Sequence, residues 1–167
     1  KRFEPRLLHK RNNGVLIHTF PEKDRVWPNC VELQLEESDV GDFGLMNTRC
    51  WPGADLGGTP AWPNNTPNAP RATFTTPDPR PPIERQRVIK NGNFERLMDW
   101  NTIEVLAIEN RIAALVNGRI VNTIYDIEGQ DTTDRSIWRP LTKGRILLEI
   151  EHAETTFRNV EIRMFAG

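Results

Sequence analysis

Six residues, Val31-Glu32-Leu33-Gln34-Leu35-Glu36, alternate apolar and polar side chains without a break. This is the period of a strand with one buried face. Val31, Leu33 and Leu35 are expected in a core. Glu32, Gln34 and Glu36 then form a row of carboxylate, amide and carboxylate on the opposite face. A solvated outer face is the plain reading of such a row. Two neighbours argue for more: a Trp27-Pro28 turn precedes the strand, and a loop rich in tryptophan and proline follows it. Polar side chains with aromatic neighbours in sequence have the composition of a sugar site.

The rest of the chain reads around this strand. Residues 1–13 are basic and irregular, ending in the turn signature Arg11-Asn12-Asn13-Gly14. Gly14 to Phe20 reads as a strand, with Val15 and Ile17 on one face and Leu16, His18 and Phe20 on the other. Ser38 to Gly41 makes a turn, and Asp42 to Met46 a short strand. Nine of the 13 prolines lie between Pro52 and Pro82, so residues 51–82 are expected to form a Pro-rich loop. Trp51 and Trp62 argue for at least partial ordering of this loop, and its proline content, which limits the entropy lost on ordering, suggests a lid over the polar face.

Further strands are expected from Ile83 to Ile89, Trp100 to Glu109, Arg111 to Asn117, Arg119 to Tyr125 and Gly144 to Glu151. A last one runs from Thr155 to Met164, with a bulge near Arg158-Asn159. Asn117-Gly118 between two apolar runs is a strong hairpin signal. Ile103 to Val116 can also be drawn as a helix, but its β-branched residues and the adjoining hairpin favour strands. Gly144 to Glu151 alternates as Val31 to Glu36 does, with Ile146, Leu148 and Ile150 inward and Leu147, Glu149 and Glu151 outward. The chain is therefore expected to be all-β, a two-sheet sandwich or jelly roll. Its open polar face would carry Glu32, Gln34, Glu149, Glu151 and His18.

A chain of 167 residues fits a single domain. Its 22 basic and 23 acidic residues give a net charge of −1, which leaves no electrostatic footprint for nucleic acid or an anionic membrane. No apolar run has the length of a membrane span, so membrane insertion is not expected. The chain opens on Lys1-Arg2-Phe3-Glu4-Pro5, so any targeting segment is expected to have been removed or omitted. Cys30 and Cys50 are the only cysteines, and whether they pair stays open. No spaced ligand motif points to a metal, although Glu32, Asp42, Glu149, Glu151, His18 and His152 are the right donor types. No cofactor is expected.

Several segments together resemble a known family. They are Asn12-Asn13-Gly14-Val15-Leu16-Ile17-His18-Thr19, Val26 to Leu35 (VWPNCVELQL), Gly41-Asp42-Phe43, Trp100 to Val105 (WNTIEV), Val116-Asn117-Gly118 and Phe157-Arg158-Asn159-Val160. Their order and spacing, over roughly residues 11–165, resemble the 3-keto-disaccharide hydrolase domain family. The resemblance implies a concanavalin-A-like jelly roll of two antiparallel sheets, in a family common among secreted proteins of sugar-degrading bacteria, and hence an extracytoplasmic location. The family begins with a further N-terminal segment that this sequence does not contain, so the domain is expected to lack that part. Gly44 stands where the family has a tryptophan. Near the end, Leu148-Glu149-Ile150-Glu151-His152 stands for Leu-Gln-x-Glu-Gly; Glu151 matches.

The activity so implied is hydrolysis of 3-keto-glycosides or 3-keto-disaccharides. A ketone at C3 acidifies the C2 hydrogen; a base removes it, the enolate expels the C1 substituent, and water adds back. Such chemistry needs a base, an acid and donors for the enolate. His18 and Glu32 are the candidate base and acid, with Glu151 raising a neighbour's proton affinity through like charge. Asn13, Gln34 and Glu149 would hold sugar hydroxyls, and Trp51 and Trp62 would stack on a ring. Each has a structural counterpart: His18 as a structural or exposed histidine, Asn13 serving its turn, Glu151 a solvated carboxylate, the tryptophans anchoring a loop. The main competing function is a non-catalytic carbohydrate-binding module, since the fold serves both. A structural interaction domain and a homo-oligomer also stay open.

Overall fold

The computed structural model describes residues 12–20, 27–53, 82–84, 87–97, 99–151 and 154–164. Among these the chain is all β, without a helix. Its strands are β1 (Asn12–Phe20), β2 (Asn29–Gln34), β3 (Phe43–Met46), β4 (Thr48–Pro52), β5 (Ile83–Glu84), β6 (Arg87–Val88), β7 (Ile103–Ile108), β8 (Arg111–Val116), β9 (Arg119–Gln130), β10 (Trp138–Pro140) and β11 (Arg145–Glu151). They form two antiparallel sheets, ordered β11-β1-β2-β3-β6 and β5-β4-β9-β8-β7, with β10 paired to β9. This is the expected jelly-roll sandwich.

Alternation places the core between the sheets. Val31 and Leu33 of β2, with Phe43 and Leu45 of β3, meet Ile112, Val116, Ile124 and Ile127 of the second sheet. The β8–β9 connection is the Asn117-Gly118 turn, with φ of 51° and 77°, the positive pair a type I′ turn requires. Ile103 to Val116 forms the β7–β8 hairpin, turning at Glu109-Asn110 with Glu109 at φ 51°.

Several expectations need correction. Asn12 and Asn13, read as a turn, begin β1, and Leu35 and Glu36 lie past the end of β2, with Leu35 only partly buried. Ile146, Leu148 and Ile150, expected inward, are exposed on β11, the edge strand of its sheet. Trp51 and Pro52, assigned to the Pro-rich loop, close strand β4, because Thr48 and Cys50 bury their side chains while the backbone pairs with β9. Residues 54–81, with Trp62, lie outside the described residues. Ile83 to Ile89 is not one strand; the chain leaves β5 in one sheet and enters β6 in the other. Residues 155–164 form no strand. They find no ladder partner among the described residues, Asn159 turns to φ 52°, and Val160, Ile162 and Met164 are exposed. Arg158 instead stacks over Trp100, 3.7 Å from the ring centroid.

The last correction concerns His18. By alternation it belongs on the face of Leu16, but the register with both β2 and β11 shifts by one residue at this point. His18 sits in the bulge with φ 55°, and Thr19 takes the next outward place, opposite Arg145. The bulge is held by the segment before β11. His18 Nδ1 lies 3.1 Å from the Leu141 carbonyl oxygen. Gly144 lies against the His18 backbone, where a Cβ would fall on the His18 carbonyl carbon and within 2.6 Å of Thr19 N.

Because backbone cannot yield as a flexible side chain can, Gly144→Ala is expected to destabilise the protein by about 1–3 kcal/mol. Denaturant unfolding checks this; a midpoint equal to the wild type would show that the β10–β11 segment relaxes away from the bulge.

Candidate functional site

β2 lies in the middle of its sheet and is buried along its whole length, on the outer face as well as the inner. The register aligns the outer face in rows. Glu151 stands opposite Asn12; Glu149 opposite Gly14, itself opposite Gln34; and Leu147, Leu16, Glu32, Gly44 and Arg87 share one row across five strands. Glu32, Gln34, Glu149 and Glu151 therefore come together on one face of one sheet, as the alternation predicts.

Two glycines make room for the Glu32 carboxyl. A Cβ at Gly14 would lie 2.7 Å from Glu32 Oε1 and 3.0 Å from Glu149 Oε2. A Cβ at Gly44 would lie 2.9 Å from Glu32 Oε2. The carboxyl thus bridges two bare strand positions, one oxygen toward each, which gives the glycine at position 44 a physical role. These contacts are closer than carbon and oxygen tolerate, so either glycine is a condition for this placement.

The electrostatics of the cluster favour one retained proton. Burial, then the charge of Glu149, raise Glu32 to about 7; Glu151 adds to this and Arg87 opposes it. Burial and the charge of Glu151 raise Glu149 as well, but its hydrogen bond with Glu32 pulls it the other way. Glu32 is therefore the donor of the pair and Glu149 the acceptor. Glu149 Oε2 is buried with no nitrogen or hydroxyl donor in reach among the described residues, where the proton on Glu32 is what can satisfy it. Like charges this close favour a single shared proton. Cys30, on the same face, feels them too: burial and then Glu32 and Glu149 push its thiol up to about 12. Cys30 and Cys50 are both free, and Cys50 belongs to the core between the sheets.

The remaining candidates are placed differently. Glu151 Oε2 accepts from Asn12 Nδ2 at 2.8 Å, at the end of the cluster. Gln34 Oε1 accepts from its own strand end, from Leu35 N at 3.0 Å and Glu36 N at 3.1 Å; among the described residues Nε2 has no partner. Asn13 pairs with Ile150, out of the Glu32 row, and both amide ends are used: Oδ1 accepts from Glu151 N and Nδ2 donates to Thr155 Oγ1. His18 is lowered by burial, with the Leu141 carbonyl opposing, and the carboxylates do not reach it. Trp51 pairs with Tyr125 in the opposite sheet. Sequence reasoning missed Gly14, Gly44 and Arg87. The glycines carried a signal, since both fall at outward positions of alternating strands; Arg87, in a two-residue strand after the prolines, carried none.

A carboxyl whose proton affinity rises on folding stabilises the fold fully below its unfolded value, near 4.5, and the contribution is lost as pH rises through about 7. Between those limits Glu32 is expected to cost the protein up to about 3 kcal/mol of stability. Glu32→Gln removes this titration, so the thermal midpoint of the variant should gain on the wild type from about pH 5 to about pH 8. Parallel curves would mean that Glu32 titrates as an ordinary surface carboxyl.

No curated protein and no solved structure matches the chain. A family defined on sequence does, over residues 2–163, nearly the whole length. With the sandwich and the outer-face carboxyl cluster in place, the chain belongs to the 3-keto-alpha-glucoside-1,2-lyase-like domain family.

Proposed function

We propose that this protein cleaves 3-keto-glycosides or 3-keto-disaccharides by elimination and hydration, with Glu32 and Glu149 as the proton-transferring pair. The observation that carries the reading is the pair itself: two hydrogen-bonded carboxyls, one proton between them, over strand positions cleared by glycine. Family membership supports 3-keto-glycosides as the substrate class. An extracytoplasmic location goes with this reading.

The Glu149 carboxylate takes the C2 hydrogen made acidic by the C3 ketone. The C2–H electron pair forms the enolate, which expels the C1 oxygen, and Glu32 gives that oxygen its proton, releasing an alcohol. The pair is then reversed, with Glu149 protonated and Glu32 ionised. Glu32 accepts a proton from water as it adds at C1, Glu149 returns a proton to C2, and the starting state is restored. Gln34 Nε2 is the donor best placed to hold a sugar or enolate oxygen. The proton affinity of Glu32, near neutral, suits a group that must both give and take a proton. Glu151 keeps the pair from losing its last proton.

The test uses a 3-keto-glucoside with a chromophoric aglycone, in deuterated water. Release of the aglycone with deuterium at C2 of the sugar is expected. Glu32→Gln keeps shape and hydrogen-bonding reach but cannot relay the proton, so kcat should fall by about 10²–10⁴-fold. Product with no deuterium at C2 would count against the elimination route. A wild type that binds oligosaccharides without turnover would make the domain a carbohydrate-binding module.

A further inference from the structure

The row that holds Glu32 ends on a residue for which the proposed proton transfers have no use. β6 pairs with β3 so that Arg87 stands opposite Gly44, and Gly44 stands opposite Glu32. The three share a row and a face, and the middle position has no side chain. Glu32 Oε2 leans over that position. The guanidinium at the end of the row is fastened in place: Nη2 donates to Glu36 Oε2 at 3.2 Å, Nη1 donates to Asp39 Oδ2 at 2.9 Å, and Asp42 Oδ2 lies 3.7 Å from Nη1. Asp42 is itself fixed, since Oδ1 accepts from Lys90 N at 2.9 Å.

We infer that Arg87 is a positioning residue, the fixed counter-charge of the Glu32–Glu149 pair acting across the side-chain-free Gly44. The inference rests on that pair being the reacting one proposed above. Among the described residues, every other charge acting on Glu32 is negative. β11 contributes Glu149 and Glu151, while Arg145 on the same strand stands at its far end, opposite Thr19. β1 contributes only the uncharged Asn12, Gly14, Leu16 and Thr19, and β2 itself Gln34 and the neutral thiol of Cys30. Among these groups Arg87 alone favours the ionised form of Glu32. Asp39, Asp42 and Glu36 face Arg87 and hold it. Burial and two acidic neighbours alone would leave Glu32 gripping its proton too tightly to release it to a leaving oxygen at neutral pH. A cation two strands away lowers that grip without forming a salt bridge, which would abolish the proton altogether.

The first experiment follows the Glu32 side-chain carboxyl carbon by NMR through a pH titration. In Arg87→Met, which removes the positive charge, the Glu32 midpoint should rise by about one pH unit, as expected for charges about 10 Å apart at an effective dielectric near 20. Arg87→Lys, which keeps the charge, should restore the wild-type midpoint. A second measurement needs no change at Arg87. The Arg87 Nε resonance of the wild type should inflect at the Glu32 midpoint, and in Glu32→Gln that inflection should vanish. An unmoved Glu32 midpoint in Arg87→Met, or an Arg87 resonance that does not sense Glu32, overturns the inference. These readouts do not depend on turnover, so a wild type inactive on 3-keto-glycosides would remove the proposed activity while the titrations still decide the role of Arg87. Where turnover is found, the pH limb set by Glu32 should move with the same midpoint, in kcat and not in KM alone.

Discussion

Burying a carboxylic acid at the centre of an antiparallel sheet is the condition the rest of this molecule has to meet. An ionised carboxylate without a partner would be far too costly there, and a full salt bridge would fix it as an anion. The structure takes a third course. Glycines on the neighbouring strands let the group lie flat, a second carboxyl shares its proton, and a cation stands at one remove. Each element depends on register. A slip of one residue in β1, β2 or β3 would bring a side chain onto Glu32 and turn the core residues Val31 and Leu33 outward.

The turn between β2 and β3 secures that register. Gln34 N donates to Asp42 O at 2.9 Å and Gly41 N to Gln34 O at 3.0 Å, closing the hairpin. Gly41 has φ 106°, and its bare α-carbon faces Val121 of the second sheet, so here the turn meets the core directly. Lys90 is almost wholly buried against it, with Nζ donating to Val40 O at 2.8 Å and to Glu95 Oε1 at 2.9 Å. Burial lowers Lys90, with Glu95 and the aspartates opposing the shift. The charged residues around this turn, Glu36 to Asp42 with Arg87 and Lys90, are thus a brace for the edge of the site.

What could be read from the sequence was whatever depends on local period and turn chemistry. The alternation placed β2 and β11 and the outward Glu32, Gln34, Glu149 and Glu151, though not the exposure of Ile146, Leu148 and Ile150, and Asn117-Gly118 placed a hairpin. The failures share one cause, contacts between distant segments. His18 leaves its row because Leu141 and Gly144, more than a hundred residues away, hold a bulge there. Thr48 to Pro52 is a strand because β9 offers it a ladder, despite the prolines that follow. Residues 155–164 have the apolar alternation of a strand and no ladder among the described residues. The partner of Glu32 was equally hidden. Glu149 reads as one more outward carboxylate until β11 is laid beside β1, and only then do the two acids meet over Gly14.

This arrangement ties reactivity to stability through one proton. For a carboxyl to act as an acid near neutral pH its ionised form must be disfavoured, and burial beside a second carboxyl does that. The same disfavour is a penalty on the fold whenever the proton leaves, so the acid strength of the site and the pH dependence of folding are one free energy seen from two sides. The core on the inner face of β2 is what lets the sheet bear it: Val31 and Leu33 are fully buried on the face that carries no charge. A strand that turns aliphatic side chains one way and carboxyls the other can hold its position through hydrophobic burial while its polar face remains electrostatically unfavourable. The alternation that begins as a fold signal is therefore also what allows the site to exist.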